Sequence, residues 1–138
     1  MSTEEQKEVK EKFYNEAMRY MDNAGDCLKK AKKEGKFYND TKYVRMACGT
    51  AYSGVLIAME GYLILKGVDM PDKKKMRKSI DFYQKNIAQL DRKMLDYLNA
   101  AYKILHLYGY YDGIGSVDVV KTGFDFANSL INKIKPAA

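Results

Sequence analysis

The chain has 138 residues, of which 46% are hydrophobic and 30% are charged, a balance typical of one globular domain and not of a disordered chain. Its formal net charge of +6 is compatible with an anionic partner but is weak evidence for one. The polar N-terminal stretch lacks the apolar core of a secretory signal, so we expect a cytoplasmic protein.

The first predicted helix runs from about Thr3 to Glu34. Ser2 with Glu5, or Thr3 with Gln6, has the spacing of a capping box at its start, and Gly35 is a typical cap at its end. Glutamates in the first turns and lysines in the last turns match the helix dipole. The pattern therefore predicts one long helix that ends in a tight turn.

The second predicted helix runs from the turn at residues 39–41 to Gly67 and contains the most apolar stretch of the chain, residues 46–65. Its apolar residues fall on more than one face, so other helices must cover it. Two internal glycines, Gly54 and Gly61, indicate that a neighbouring backbone approaches closely. That neighbour is another helix of this chain or of a second copy.

Glu60 interrupts the apolar stretch of the second helix. The uncharged run before it is shorter than a bilayer span, so we expect a buried core helix and no membrane contact. A carboxylate among apolar residues needs a partner. Glu60 is therefore either a structural group that meets a tyrosine or solvent, or an acid in a ligand pocket.

A third helix is predicted from about Asp72 to Leu107, long enough to contain a break. The glycine-rich segment 109–115 reads as a loop. Ser116 can cap a fourth helix, which Pro136 ends. The apolar positions of the third helix repeat at helical spacing and are Ile80, Tyr83, Ile87, Leu90, Met94, Leu98, Ala101 and Leu105.

Long amphipathic helices with short connections predict an all-α fold, an up-down-up-down bundle of four to five helices. Residues 1–138 form one domain in this prediction, and no strand pattern competes with it. Cys27 and Cys48 fall in separate helices and are expected to be buried, reduced thiols.

The common catalytic and metal-binding motifs are missing from the sequence. With one histidine, His106, and two separated cysteines, the chain lacks the spacing of zinc, haem and di-iron sites. It also lacks a phosphate-binding glycine loop and a serine nucleophile motif. We therefore expect no cofactor and no metal, and the sequence favours a non-enzymatic role while leaving the question of catalysis open.

Twelve tyrosines without a tryptophan suit the rim of a core, a self-association surface or the stacking of nucleic-acid bases. The tyrosines in or beside the glycine-rich segment are the best candidates for such contacts. His106 is either an ordinary half-buried histidine or part of the same site. The candidate ligand or partner site comprises Glu60, Tyr102, His106, Tyr108, Tyr110, Tyr111 and Asp112.

A cluster of basic residues lies at the predicted start of the third helix, where it opposes the helix dipole. It is either a solvated surface or a contact for an anionic partner. This candidate basic patch comprises Lys73, Lys74, Lys75, Arg77 and Lys78.

The second predicted helix is rich in small residues, and Pro71 and a long third helix follow it. Within residues 51–67 it contains the pattern Ala51-Tyr52, Ala58-Met59-Glu60 and Leu63-Ile64-Leu65-Lys66-Gly67. This arrangement resembles the HEPN-like superfamily of small prokaryotic helical bundles. Residues 100–113 also look like that family's closing helices. The resemblance implies a helical bundle, and some members are substrate-binding partners of nucleotidyltransferases. The family's ribonucleases carry an arginine a few residues before the histidine, whereas here Arg92 is the nearest arginine that precedes His106. The nuclease activity is therefore not carried over.

We therefore expect a non-catalytic HEPN-like protein that acts by self-association, as a homodimer, and by partner binding. A nucleotide-binding, RNA-binding or nucleotidyltransferase-partner subunit is the alternative. A divergent ribonuclease that uses His106 is the third hypothesis.

Overall fold

The computed structural model describes residues 1–71 and 79–137, and helices dominate these ranges. The helices are α1 (Thr3–Ala31), α2 (Thr41–Leu65), α3 (Ile80–Ala88), α4 (Arg92–Ala101), a π-helix (Tyr102–Tyr111) and α5 (Val117–Ile131), followed by a 3₁₀ turn (Asn132–Ile134). Two short strands, β1 (Lys33–Glu34) and β2 (Phe37–Tyr38), connect α1 to α2. The predicted all-α helical bundle is confirmed.

The predicted starts of the first, second and fourth helices are confirmed by their capping hydrogen bonds. The Glu5 N–H donates to Ser2 Oγ at 3.1 Å, and the Ser2 N–H donates to Glu5 Oε1 at 3.4 Å. Asp40 caps α2, and Ser116 accepts a bond from the N–H of Val119 at 3.4 Å at the start of α5. These side chains satisfy N–H groups that have no partner inside a helix.

The predicted end of the first helix and the expected absence of strands were wrong. Helix α1 stops at Ala31 because Lys32 takes a φ of 53°, outside the helical region. Gly35, at φ 63°, lies in the turn between β1 and β2 and does not cap α1. Strand β2 also contacts the segment before α5, since the N–H of Tyr38 donates to the carbonyl of Gly115 at 2.8 Å.

The third predicted helix is broken, and its predicted start lies outside the described residues. Helix α3 ends at Ala88, and α4 begins after Asp91, whose carboxylate accepts the N–H of Met94 at 3.0 Å. This new cap competes with continuation of the helix. Leu90, predicted as a core residue, lies at the break and is 43% exposed.

Helix α2 is the centre of the bundle, because α1, α3, the π-helix and α5 all contact it. A Cβ built on Gly54 would lie 3.2 Å from the carbonyl oxygen of Ala17, and one on Gly61 would lie 2.6 Å from Phe13 Cβ. The close neighbour predicted for these glycines is therefore α1 of the same chain. By length and composition α2 could cross a membrane, but 61% of its most apolar window is buried within the bundle.

The contacts between helices give their directions. Gly54 faces Ala17 while Gly61 faces Phe13, so α1 and α2 run antiparallel. Arg45 meets the end of the π-helix and Tyr52 meets its middle, so α2 and the π-helix also run antiparallel. Helix α5 returns along α4 and the π-helix, in agreement with the predicted up-down-up-down arrangement.

Candidate aromatic groove

The candidate site is built on the π-helix. The N–H of Asp112 donates to the carbonyl of Leu107 at 3.0 Å, five residues back, and this wider turn brings residues four and five apart onto one face. Gly109 allows the helix to lie close to α2, because a Cβ there would overlap the side chain of Cys48. The prediction of a loop from Gly109 was therefore wrong for residues 109–111, which continue the helix.

His106 lies in a cluster of tyrosine rings. Its ring centroid is 4.7 Å from that of Tyr52 on α2, with 28° between the ring planes, and 5.9 Å from that of Tyr110, with the planes nearly parallel. Tyr111 meets it edge-on at 4.9 Å, and Tyr102 lies 5.4 Å away. We call these five residues the aromatic cluster.

Three members of the cluster, Tyr52, His106 and Tyr110, line a groove of about 520 Å³, called here the aromatic groove. Its lining residues come from three helices: Tyr20 of α1, Met46, Gly49, Thr50, Tyr52, Ser53 and Leu56 of α2, and His106 and Tyr110 of the π-helix. Small residues form the floor, and a Cβ built on Gly49 would lie only 2.8 Å from the Tyr110 ring. The volume falls in the range of sites for small molecules or for side chains of a partner.

Arg45 fixes the end of the π-helix. Its guanidinium donates to the carbonyl of Tyr110 at 3.1 Å and to the carbonyl of Tyr111. Carbonyl groups at a helix end lack partners within the helix, and an arginine of the neighbouring helix satisfies two of them here. The backbone of both tyrosines, of which Tyr110 lines the groove, is thereby held in place.

The groove is aromatic and almost without charge. No Asp, Glu, Lys or Arg is among the described residues that line it. Burial lowers the pKa of His106 below its ordinary value of 6.5, which favours the neutral imidazole. Burial, and secondarily the nearby Tyr102, raises the pKa of Tyr52. At neutral pH the groove therefore presents rings, hydroxyls and a neutral imidazole.

The structure brings four of the seven candidate site residues into contact within the aromatic cluster: Tyr102, His106, Tyr110 and Tyr111. Glu60 is instead buried, at 6% exposure, in the core near Tyr83, whose pKa is raised by burial and then by the Glu60 charge.

The other candidates lie outside the aromatic cluster, and of the four inside it His106 and Tyr110 line the groove. Tyr108 lies beneath the ammonium group of Lys103, and Asp112 is exposed. The candidate basic patch, Lys73, Lys74, Lys75, Arg77 and Lys78, lies outside the described residues.

Sequence reasoning missed the residues that α1 and α2 contribute to the groove. Tyr20, Met46 and Tyr52 become part of it only because three helices align at this level of the bundle. The sequence of α2 did contain a local signal of the groove. Gly49 and Tyr52 place a small residue and an aromatic ring one helical turn apart on the same helix face.

The described residues include no group of three or more His, Cys, Asp or Glu that could hold a metal ion. Both cysteines are free thiols, Cys27 half-buried and Cys48 buried. Burial raises the pKa of Cys48 to about 12, so its thiol stays protonated and unreactive at neutral pH.

Fold and groove together define an all-α bundle with an aromatic surface site. The chain belongs to the family described as "Domain of unknown function (DUF5618)", which matches residues 12–136. A solved structure of a protein of unknown function from Dyadobacter fermentans is similar to it, with 41% sequence identity and a TM-score of 0.78 over 91% of this chain and 94% of that chain. No curated protein matches the chain. These relatives assign no function, so the resemblance to the HEPN-like superfamily stays a prediction.

Proposed function

We propose that this protein is a non-catalytic binding protein that self-associates through the aromatic groove. The observation that carries the proposal is the exposure of large apolar side chains at the rim of an uncharged groove. Met46 and Tyr110, which line the groove, are each 45% exposed, and Tyr111 of the neighbouring aromatic cluster is 59% exposed. Tyrosine and methionine are enriched in protein interfaces, and charged residues are depleted from interface cores.

The groove is suited to a two-fold interface, because it combines protruding side chains with a hollow floor. Met46 is 45% exposed at the rim, the Tyr110 ring covers Gly49, and the hollow lies beside that ring, where the small side chains of Thr50 and Ser53 line the groove. In a two-fold pair the same patch faces itself, so Met46 of each copy can insert over the floor of the other. Self-association buries both methionines and the exposed tyrosine rings.

His106 supports a binding role more than a catalytic one. Among the described residues its contacts are aromatic rings, whereas a general acid or base works beside a group that orients or polarises it. A ribonuclease that uses His106 stays a prediction, and a His106→Ala variant with unchanged RNA cleavage would remove it.

The test of self-association is the molar mass in solution, measured by light scattering over a range of concentrations. We expect a dimer for the unmodified chain and a monomer for Met46→Glu, because two carboxylates would be buried at the two-fold contact. Leu90→Glu is the matched control, since Leu90 is equally exposed but lies at the break between α3 and α4. A monomeric unmodified chain, or equal dissociation by both variants, would contradict the proposal.

A nucleotide or single-stranded RNA is the second candidate ligand. It is favoured by the exposed face of Tyr110 beside the stacked His106 ring, because nucleobases stack on such platforms. We expect oligouridylate binding, if it occurs here, to weaken with salt and to be lost in Tyr110→Ala. No binding at low salt removes this candidate. A nucleotidyltransferase-type partner and a cytoplasmic location stay predictions.

A further inference from the structure

A second groove, of about 570 Å³, lies at the C-terminal end of α1 beside strand β2. Its floor is formed by Gly25, Leu28 and Tyr38, and its rim by Lys29, Lys32 and Lys33. No acidic residue is among the residues that line it. We call it the basic groove, and it is distinct in every lining residue from the aromatic groove.

The space above Gly25 is open. A Cβ built on Gly25 would meet no atom within 4 Å, and the three lysines of the rim are exposed. Leu28 and Tyr38 are half-buried against the core, so their accessible surfaces form an apolar floor. The groove thus offers an apolar surface on which one large side chain can bind, surrounded by three ammonium groups.

Lys32 holds its side chain at the rim in spite of an unfavourable backbone. Its φ of 53° and ψ of 139° lie in a region that glycine adopts with little strain and other residues rarely adopt. The strand pairing of Lys33 with Tyr38 fixes the chain immediately after it. A lysine here adds positive charge to the rim at a position where glycine would fit the backbone better.

We propose that the basic groove binds an acidic peptide segment of a partner protein. One large apolar side chain of the segment lies on Gly25 and Leu28, and flanking carboxylates pair with the lysines of the rim. Charge complementarity selects an anionic partner, and the apolar floor selects a partner that also carries a hydrophobic side chain.

The floor favours a peptide over a nucleic acid. Nucleobases stack on exposed aromatic faces, whereas the aromatic ring in this groove, Tyr38, is half-buried against the core. The exposed ring nearby, Phe37, lies on the opposite face of β2, because successive side chains of a strand alternate. An apolar floor in which the one ring is half-buried, with a rim of lysines, suits a leucine or phenylalanine between carboxylates.

The test is fluorescence polarisation with a labelled peptide, Asp-Glu-Leu-Phe-Glu-Asp, at low and high salt. We expect binding that weakens with salt. Gly25→Leu fills the groove and should lower the affinity by about tenfold or more, whereas Gly25→Ala, which leaves most of the space open, should bind as the unmodified chain does. Lys32→Gly should weaken binding and reduce its salt dependence, and Met46→Glu, in the other groove, should have no effect.

Three results would overturn the proposal. The first is equal affinity of the unmodified chain and Gly25→Leu. The second is equal affinity for a peptide with serines in place of Leu-Phe, which would mean attraction by charge alone. The third is displacement of the peptide by oligouridylate with higher affinity, which would assign the groove to a nucleic acid. These outcomes do not depend on the result of the dimer test with Met46→Glu. The two grooves share no lining residue, so the two proposals can fail separately.

Discussion

Lys32 is the only non-glycine residue with a positive φ among the described residues. Replacing it with glycine should relieve the strain and raise the free energy of unfolding by about 1 kcal/mol. Urea denaturation measures this difference. Lys33→Gly is the control, because Lys33 lies in β1 at the next position and a glycine in a strand is unfavourable. Equal or lower stability of Lys32→Gly than of the unmodified chain would contradict the prediction.

Tyr83 is fully buried, and its hydroxyl has no hydrogen-bond partner among the described residues. A buried hydroxyl without a partner costs stability, so Tyr83→Phe should raise the free energy of unfolding by about 1 kcal/mol. Thermal and urea denaturation measure the change. The half-buried Tyr62 gives a control, since Tyr62→Phe should change stability little. A clear loss of stability in Tyr83→Phe would mean that the hydroxyl is satisfied.

His106 gives the molecule a pH dependence of definite sign. Its pKa in the folded state is lowered from 6.5 by burial, so the unfolded chain takes up a proton more readily. Stability is therefore lost as the pH falls through 6.5 toward the pKa of the folded state. Since His106 is the single histidine, NMR titration of its imidazole gives that pKa directly. His106→Gln should remove this part of the pH dependence, and a pKa above 6.5 would refute the sign.

At the scale of elements, close approach of helices α1 and α2 depends on glycine. A Cβ on Gly61 would lie 2.6 Å from Phe13 Cβ, while one on Gly25 would meet nothing within 4 Å. Gly61→Ala should therefore destabilise the fold by about 1–3 kcal/mol through overpacking. The same substitution at Gly25 should stabilise it by about 1 kcal/mol through helix propensity. Denaturation of the two variants tests the contact, and equal effects would argue against it.

The helix starts that depend on local side chains were predictable, since Ser2, Asp40 and Ser116 cap the N-termini of their helices through short-range hydrogen bonds. The end of α1 was not, because it depends on a strained Lys32 that the strand pairing fixes. The length of the third predicted helix allowed for a break, but the position of the break near Asp91 was hidden, because the apolar spacing continues through it.

The candidate site was predictable only where its residues share one helix. Tyr102 and His106 are four residues apart within the predicted third helix, whereas Tyr110 was included only as a tyrosine of the predicted loop. Their extension by Tyr111 depends on the π-helix, whose register requires Gly109 to lie against Cys48. Helical periodicity contains no information on how separate helices align, so the contributions of α1 and α2 appear only in the fold.

At the scale of the whole molecule, the apolar faces of α2 are covered by the chain's own helices. The two-faced apolarity of this helix, which led us to expect a homodimer, therefore does not itself require a second copy. Part of the apolar surface left exposed lies instead at the aromatic groove, where Met46 and Tyr110 border its uncharged floor. Self-association is now proposed on that surface.

The most direct measurement of self-association through the groove is the NMR signal of the His106 imidazole, followed as the protein is diluted. Because the chain has one histidine and it lies in the groove wall, its signal reports on that surface alone. We expect the signal to shift with concentration in the unmodified chain and in Leu90→Glu, and to stay at the monomer value in Met46→Glu. A signal that does not move while light scattering detects a dimer would mean that the copies meet elsewhere.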